Sequence, residues 1–426
     1  MLDFINFLAI LWLSICLLVS IVYVLKHQAK TIHIVYVVFY VLFVVPLILD
    51  YLVGQPEYRT RPGFYLASRD EITSYIYAFY ISIVPLIWCI FSKSQNKYLN
   101  LEFHFDINIL KKLKPFLILL VISPFLGWMF SPNPMEYLTY AAASKKVLSE
   151  DSLGFHVFLS RLCLLSVITI FILLISKKRL KFIDFIMISP WLLTSIWLHG
   201  KRSIVMMVVV LLCYLVWQKK LIKGIKLAIF GSLMIVLFLS FSNTYQKNLR
   251  FTDFNVVNKD ILYENIRIDY GRDDVTKLAI YAELYPNQVK ILEYRFQSAV
   301  FYATAYIPRE WWPDKPYPYD NYVTSATWLT GPQLWSSNMT TSLLEEAIAN
   351  SGWIGMLVAP LMLSIFCRIG DESKDILIRL VTLLVACLSL ALHFMSYYIF
   401  FIVWVVMILI NKRKRKRKRA MTNHAI

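Results

Sequence analysis

Residues 4–25 read FINFLAILWLSICLLVSIVYVL, a run without a single charged side chain. As a helix it would be about 33 Å long, enough to cross the roughly 30 Å hydrocarbon core of a bilayer. It is too long for the apolar region of a cleavable signal, and it has neither a basic segment before it nor a small-residue cleavage site after it. Similar apolar runs recur at about 32–53, 72–92, 115–130, 155–175, 182–199, 204–217, 227–242, 343–366, 376–394 and 396–410, the last two divided only at Met395-Ser396. Helices are the expected form, because lipid offers no partner to a backbone N–H or C=O. The ~10-residue alternating segments of a membrane barrel are not evident. The fold class is therefore all-α, a polytopic transmembrane helical bundle of about eleven spans.

Composition agrees. The chain has 426 residues, 58% of them hydrophobic, and a mean hydropathy of +0.58, against ~45–50% apolar residues in a soluble domain. The net charge of +17 would suit nucleic acid, but the cations sit in short clusters between apolar runs, the pattern that orients membrane proteins, and no nucleic-acid partner is expected. With the C-terminal tail in the cytoplasm, 26 Lys and Arg fall on that side and 18 on the other. Ten of those 18 lie in the segment 243–342, whose length lets it translocate whatever its charge. The N-terminus is then outside. The expected organisation is eight spans over 1–242, a large extracytoplasmic loop at 243–342, three spans over 343–410 and a basic cytoplasmic tail at 411–426. The run Lys412 to Arg419 reads as a topology anchor, with recruitment of anionic lipid as the alternative. The six cysteines all lie in apolar runs, so no disulfide framework is indicated.

Candidate chemistry gathers in the loop and in one turn. Phe301, Tyr302, Tyr306, Trp311, Trp312, Tyr317, Tyr319, Tyr322, Trp328 and Trp335 crowd the stretch 301–335. A membrane-interface belt accounts for the rings, but not for Pro308, Arg309, Pro313, Lys315, Pro316 and Pro318 interleaved among them. Four prolines in eleven residues stiffen the backbone. A rigid, cationic, aromatic loop suits an anionic, sugar-bearing lipid; a structural lid is the other reading. The turn His199-Gly200-Lys201-Arg202-Ser203 puts two cations on the outer side, against the orientation rule, where they suit phosphate or plain lipid headgroups. His199 is a candidate base or a structural helix-end residue. Arg161, about two turns into the fifth run, is a functional candidate or a side chain snorkelling to the surface. Arg59, Arg61 and Arg69 are further outer cations. Asp273 and Asp274 offer oxygens to a divalent ion, but fit better as solvated charges at a helix N-terminus. HExxH, P-loop and CxxC signatures are absent, so no metal or cofactor is indicated.

Three local patterns resemble those of bacterial oligosaccharide repeat-unit polymerases, the O-antigen or capsule polymerases of the Wzy type. They are the Gly-Lys-Arg-Ser turn at 200–203, the stretch Tyr306-Ile307-Pro308-Arg309-Glu310-Trp311-Trp312-Pro313-Asp314-Lys315-Pro316, and the run Glu346-Ala347-Ile348-Ala349-Asn350-Ser351-Gly352-Trp353-Ile354-Gly355. Ser351 departs from the pattern, where an aromatic is common. The resemblance implies a GT-C-like architecture in the bacterial cytoplasmic (inner) membrane. It implies glycosyl transfer on the outer face, moving a glycan from undecaprenyl pyrophosphate to the sugar of another undecaprenyl-pyrophosphate unit without metal or cofactor. Implied partners are those lipid-linked glycans and membrane lipids, with a chain-length regulator and a flippase as candidates. On this basis Arg202, Arg309, Glu310, Glu346 and His199 are the catalytic candidates. Lys201, Arg161, Arg267, Arg272, Arg295, Trp311, Trp312 and Lys315 are the substrate-binding ones. Lipid pyrophosphate is a charged leaving group that cations stabilise, and the acceptor hydroxyl needs a carboxylate or His to take its proton. Glu346 has a plainer alternative as a helix N-terminal carboxylate facing the dipole. An O-antigen ligase, a lipid-linked oligosaccharide flippase or other transporter, and a non-catalytic scaffold remain alternatives.

Overall fold

The computed structural model describes residues 2–92, 107–143, 145, 147–177, 179–250, 259–334, 339–373 and 375–423. Lys93, Lys97, Lys146, Lys178, Trp335 and Lys374, which entered the patterns above, lie outside the described residues. Of the described residues 78% are helical and none lies in a strand. Among the described residues seven helices are long and apolar enough to cross a membrane: Leu2–Leu25, Thr31–Val53, Glu71–Phe91, Glu150–Ser176, Phe182–His199, Leu343–Asp371 and Phe394–Lys412. Shorter apolar helices, Lys114–Met129, Arg202–Gln218, Ile225–Phe241 and Ile376–Ala391, occupy the other apolar runs. Leu18, Phe79, Phe182, Ile229 and Leu357 lie exposed on these helices, as a lipid-facing surface allows and a water-facing one does not. Two compact units form, residues 1–101 with 257–426, and residues 102–256. The described part of the 243–342 stretch from Lys259 onward thus belongs to the first unit rather than to a body of its own.

Within the first unit, Ile376–Ala391 is the buried helix. Every residue in it except Leu377 is buried, as an all-round apolar sequence requires. It packs against Thr31–Phe39, Gly355–Asp371 and the final helix Phe394–Asn423. Its one cation, Arg379, bends back onto the carbonyls of Asp371 and Ser373 at 3.1 and 2.8 Å. The Asp371 carboxylate accepts from the Thr31 N–H at 3.2 Å and from its hydroxyl at 2.6 Å, satisfying the first turn of the second span from another helix. The break before the last helix falls at Leu392-His393, not at Met395-Ser396.

The second span, continuous by hydropathy, is interrupted. Pro46 has no N–H to give to the Leu42 carbonyl, and the helix widens into a π turn over Tyr40–Val44. Leu42 O then accepts the Arg272 N–H at 2.8 Å, and Phe43 O accepts the Tyr77 hydroxyl at 2.7 Å.

That Arg272 N–H opens the helix Asp273–Leu284, whose residues 273–281 are all buried. It packs against Pro62–Arg69, Glu71–Phe91 and Leu343–Ser351. Asp273 and Asp274 do open a helix, but they are buried rather than solvated, because their counter-charges come from elsewhere in the chain. Arg267 Nη2 lies 3.0 Å from both Asp50 oxygens and also pairs with Asp273. Lys277 Nζ lies 3.1 Å from Asp273 and 3.3 Å from Asp50. The Tyr58 hydroxyl donates to Asp274 at 2.6 Å. Two cations face three carboxylates, so the cluster is electrically balanced when one carboxyl keeps its proton. Burial, with the Asp273 charge beside it, pushes Asp274 up to about 7. Against the same burial, Arg267 and Lys277 hold Asp273 down at about 2.

In the second unit Glu150–Ser176 packs against Ile107–Met129, Phe182–His199 and Arg202–Gln218. Ser166 Oγ donates to Val121 O at 2.9 Å, and Ser195 Oγ to Ser166 Oγ at 3.2 Å. These hydroxyls join three helices where apolar contact with lipid gives no preference for association.

A carboxyl that binds its proton more tightly folded than unfolded contributes stability at low pH and loses it as pH rises through the folded value. For Asp274 that window runs from its ordinary value of 3.8 up to about 7. Asp274→Asn, which keeps an acceptor for Tyr58, should therefore gain stability relative to wild type as pH rises from 4 to 8. Thermal unfolding of the detergent-solubilised protein across that range tests this; parallel profiles for the two proteins would contradict it.

Candidate functional site

The proline-rich loop closes on its own cations. Arg309 donates to the carbonyls of Lys315 at 2.8 Å, Pro316 at 3.1 Å and Pro313 at 3.3 Å, and its guanidinium lies 4.1 Å over the Tyr317 ring. Lys315, buried, donates to Ala305 O and Ile307 O, each at 2.9 Å, and lies 5.2 Å over the Phe301 ring. Proline-dense backbone leaves carbonyls without N–H partners, and these two side chains supply the missing donors. What the loop presents outward is Trp311, 81% exposed, with Tyr306 and Glu310, while Trp312 is half-buried.

The run from Glu346 to Gly355 builds a helical corner. Leu343–Ser351 ends at Gly352, whose φ of 65° is left-handed, and after one 3-10 turn the helix resumes as Gly355–Asp371. A Cβ at Gly355 would run into the Ala347 carbonyl. The expected continuous span is therefore broken at its start, because only glycine lets the two helices approach there. Adjacent glutamates then take different tasks. Glu345 closes a capping box with Ser342. Glu346, one residue on and buried, accepts from Ser298 Oγ at 2.7 Å, and Asn350 Nδ2 donates to Ser298 Oγ at 2.8 Å. Both stand in the first turn of the helix, so the dipole-facing alternative fits Glu346 as well as Glu345. Desolvation and the neighbouring Glu346 push the Tyr302 hydroxyl well above its usual range, so it stays a proton donor. Asp320, buried on the helix Tyr319–Trp328, acts electrostatically on both Glu346 and Tyr302. Its Oδ2 lies 3.7 Å from His393 Nδ1, and His393 Nε2 lies 2.8 Å from Ser396 Oγ.

Arg267, Arg272 and Arg295, the other loop cations named as substrate-binding candidates, have internal partners. Arg267 belongs to the buried cluster with Asp50 and Asp273 and is 1% exposed. Arg272, also buried, donates to Gly271 O at 2.7 Å and to Ala391 O at 3.0 Å, the latter at the end of the buried helix. Arg295 forks onto Glu283 and donates to Ala349 O at 3.1 Å. Of these three, Arg295 alone is half exposed, its side chain at 53%.

In the second unit, His199 ends its helix and Gly200 follows at φ 62°, in close contact with Ala141. Tyr245 donates its hydroxyl to Gly200 O at 3.0 Å. His199 is buried, with Nδ1 2.7 Å from Ser160 Oγ and Nε2 3.2 Å from Ser203 Oγ. Both ring nitrogens are engaged, so a base role needs one of these bonds to open. Lys201 caps the next helix and is exposed; Arg202 and Arg161 are half-buried. Lys201 and Arg161 act electrostatically on His199. The positive end of the helix Arg202–Gln218 adds to their field, and an anion is favoured there.

No family model matches the chain, and neither a curated protein nor a solved structure matches it. The class of protein rests on geometry alone: a helical membrane protein with buried carboxylates beside a half-buried His and Tyr in one unit and a cationic turn in the other. Asp320, Ser298, Asp50 and His393 are not legible as site or core partners from spacing. His393 did carry a signal, an ionisable residue between two apolar runs, but the divide placed at Met395-Ser396 passed over it. Among the described residues no group of three or more His, Cys, Asp or Glu is arranged to hold a metal.

If Arg309 serves chiefly as the donor that folds its own loop, Arg309→Ala strands three carbonyls, at roughly 1–3 kcal/mol for groups left unsatisfied. Limited proteolysis should then cut within 305–318 many times faster than in wild type, with Arg309→Lys intermediate. Equal cleavage rates would show that the loop holds without it.

Proposed function

We propose that the chain is a membrane glycosyltransferase that joins polyprenyl-pyrophosphate-linked oligosaccharide repeat units at the outer face of the bacterial cytoplasmic membrane. In this reading all eleven apolar helices cross the bilayer, and the turn at 199–203 and the 243–342 loop face outward. The observation that carries it is Glu346, buried and oriented by Ser298 and Asn350, near Asp320, which faces His393, in a unit whose loop projects Trp311 and Tyr306. The resemblance of this run and of the proline-rich loop to the polymerase patterns adds to it.

The chemistry follows from those groups. An acceptor sugar hydroxyl attacks the anomeric carbon of the donor glycan. The bond from that carbon to the pyrophosphate oxygen breaks, and the electron pair leaves with the lipid pyrophosphate. The hydroxyl proton passes to Glu346 or to the Asp320–His393 pair. Cations neutralise charge as it develops on the leaving group, a role that this reading gives to Lys201, Arg202 and Arg161. Exposed rings at 306 and 311 stack on sugar faces. Arg309 and Lys315, engaged with backbone carbonyls, act by holding those rings in place.

Gel analysis of surface glycan in a deletion strain tests this. Loss of a polymerase leaves single repeat units on their final acceptor. Polymer stranded on the lipid carrier would instead identify a ligase, and units held at the cytoplasmic face a flippase. In the complemented strain, Glu346→Gln and Arg202→Ala should each abolish the ladder at wild-type protein level; normal ladders from both would sink the assignment.

A further inference from the structure

Beside the helical corner lies a concavity that none of the chemistry above uses. It is a cleft of about 260 Å³ lined by Ala279, Ala282 and Glu283 of the helix Asp273–Leu284, by Lys290 to Arg295, and by Ala349. Its floor is small and apolar. Its rim carries two carboxylates, Glu283 and Glu293, two cations, Lys290 and Arg295, and the ring of Tyr294, 48% exposed. The volume is just under the roughly 300–1,000 Å³ of small-molecule sites, so it suits a single sugar-sized group rather than a lipid chain.

The rim is built rather than incidental. Arg295 holds Glu283 in a two-point fork at 2.5 and 2.6 Å, and the fork sits against Gly352, where a Cβ would lie 3.2 Å from Arg295 and 3.3 Å from Glu283. The glycine that turns the corner therefore also admits the fork. The Tyr294 turn is fixed from behind. Gln297, buried, accepts the Glu293 N–H at 2.8 Å and donates to the Tyr322 hydroxyl at 2.9 Å. Between them Phe296 takes a left-handed φ of 62°, a conformation that persists in a non-glycine residue only when its surroundings hold it.

We propose that this cleft is a carbohydrate subsite that holds one neutral pyranose of the glycan, an assignment that rests on the glycosyltransferase reading. Its charges balance, and the Arg295 fork is already occupied by a carboxylate, so an anionic group would meet two acidic side chains and one uncommitted cation. A sugar hydroxyl both donates and accepts, and alternating carboxylates and cations satisfy both roles. Tyr294 offers a flat face to the C–H side of the ring, as aromatic residues do in contact with sugars. The Ala349 wall belongs to the helix that carries Glu346, so a glycan seated here is held by the same rigid element as the candidate reacting centre.

Saturation-transfer NMR on the full-length protein in nanodiscs tests it. The probe is the lipid-free glycan released by mild acid from cells that make this protein, with inorganic pyrophosphate as competitor. Wild type should bind the glycan, pyrophosphate should not displace it, and Tyr294→Ala and Glu293→Gln should each bind at least ten-fold more weakly. Glu346→Gln should bind as wild type does although it makes no polymer. Absence of binding, wild-type binding by both cleft variants, or displacement by pyrophosphate overturns the subsite. Polymer from Glu346→Gln with weakened glycan binding by the cleft variants would overturn the role of Glu346 and leave the subsite standing.

Discussion

Charges taken out of water must find each other. In the first unit that requirement joins Arg267, Asp50, Asp273 and Lys277, all buried and all within ion-pair distance of a partner. Removing one member of such a buried set typically costs about 3–5 kcal/mol, because the remaining charge is left without compensation. Asp50 belongs to the second apolar run and the other three to the stretch that hydropathy marks as a loop. Their closure turns that stretch into part of the helical unit. The helix Asp273–Leu284, fixed in this way, packs against Leu343–Ser351, which carries Glu346, and its far end supplies one wall of the sugar-sized cleft.

Prolines and glycines decide where polar backbone is exposed, and side chains then answer it. Pro46 opens the second span, and the carbonyls released there receive the Arg272 N–H and the Tyr77 hydroxyl. The prolines of 308–318 release carbonyls that Arg309 and Lys315 take up. Gly352 and Gly355 turn a helix through a corner that no other residue would fit. In each case a residue that breaks regular structure is matched by a donor or an absence of side chain nearby. Motif cations are thus not automatically ligand cations: those inside a proline-rich loop are needed by the loop first.

This separates the candidate groups by task. Arg267 and Arg272 hold the loop to the spans. Arg309 and Lys315 fold the aromatic loop. Glu346 and Asp320 are buried carboxylates, and the half-buried His393 faces Asp320. In the other unit Lys201 and Arg202 stand at the positive end of the helix Arg202–Gln218, and Arg161 acts electrostatically on His199 beside it.

Apolar runs are a property of consecutive residues, so the sequence alone determined the helical class and the position of each run. It also marked the turn at 200, since glycine after a helix and cations before the next are local features. The pairings were decided only by tertiary structure. Asp50 meets Arg267 across 217 positions and Thr31 meets Asp371 across 340, and nothing in either neighbourhood names the partner. The same holds for Asp320 with His393 and for Glu346 with Ser298. A sequence displays a charge or a hydroxyl but not the group that will satisfy it; burial in a medium without water forces that group to exist, and the packing of the helices selects which one it is.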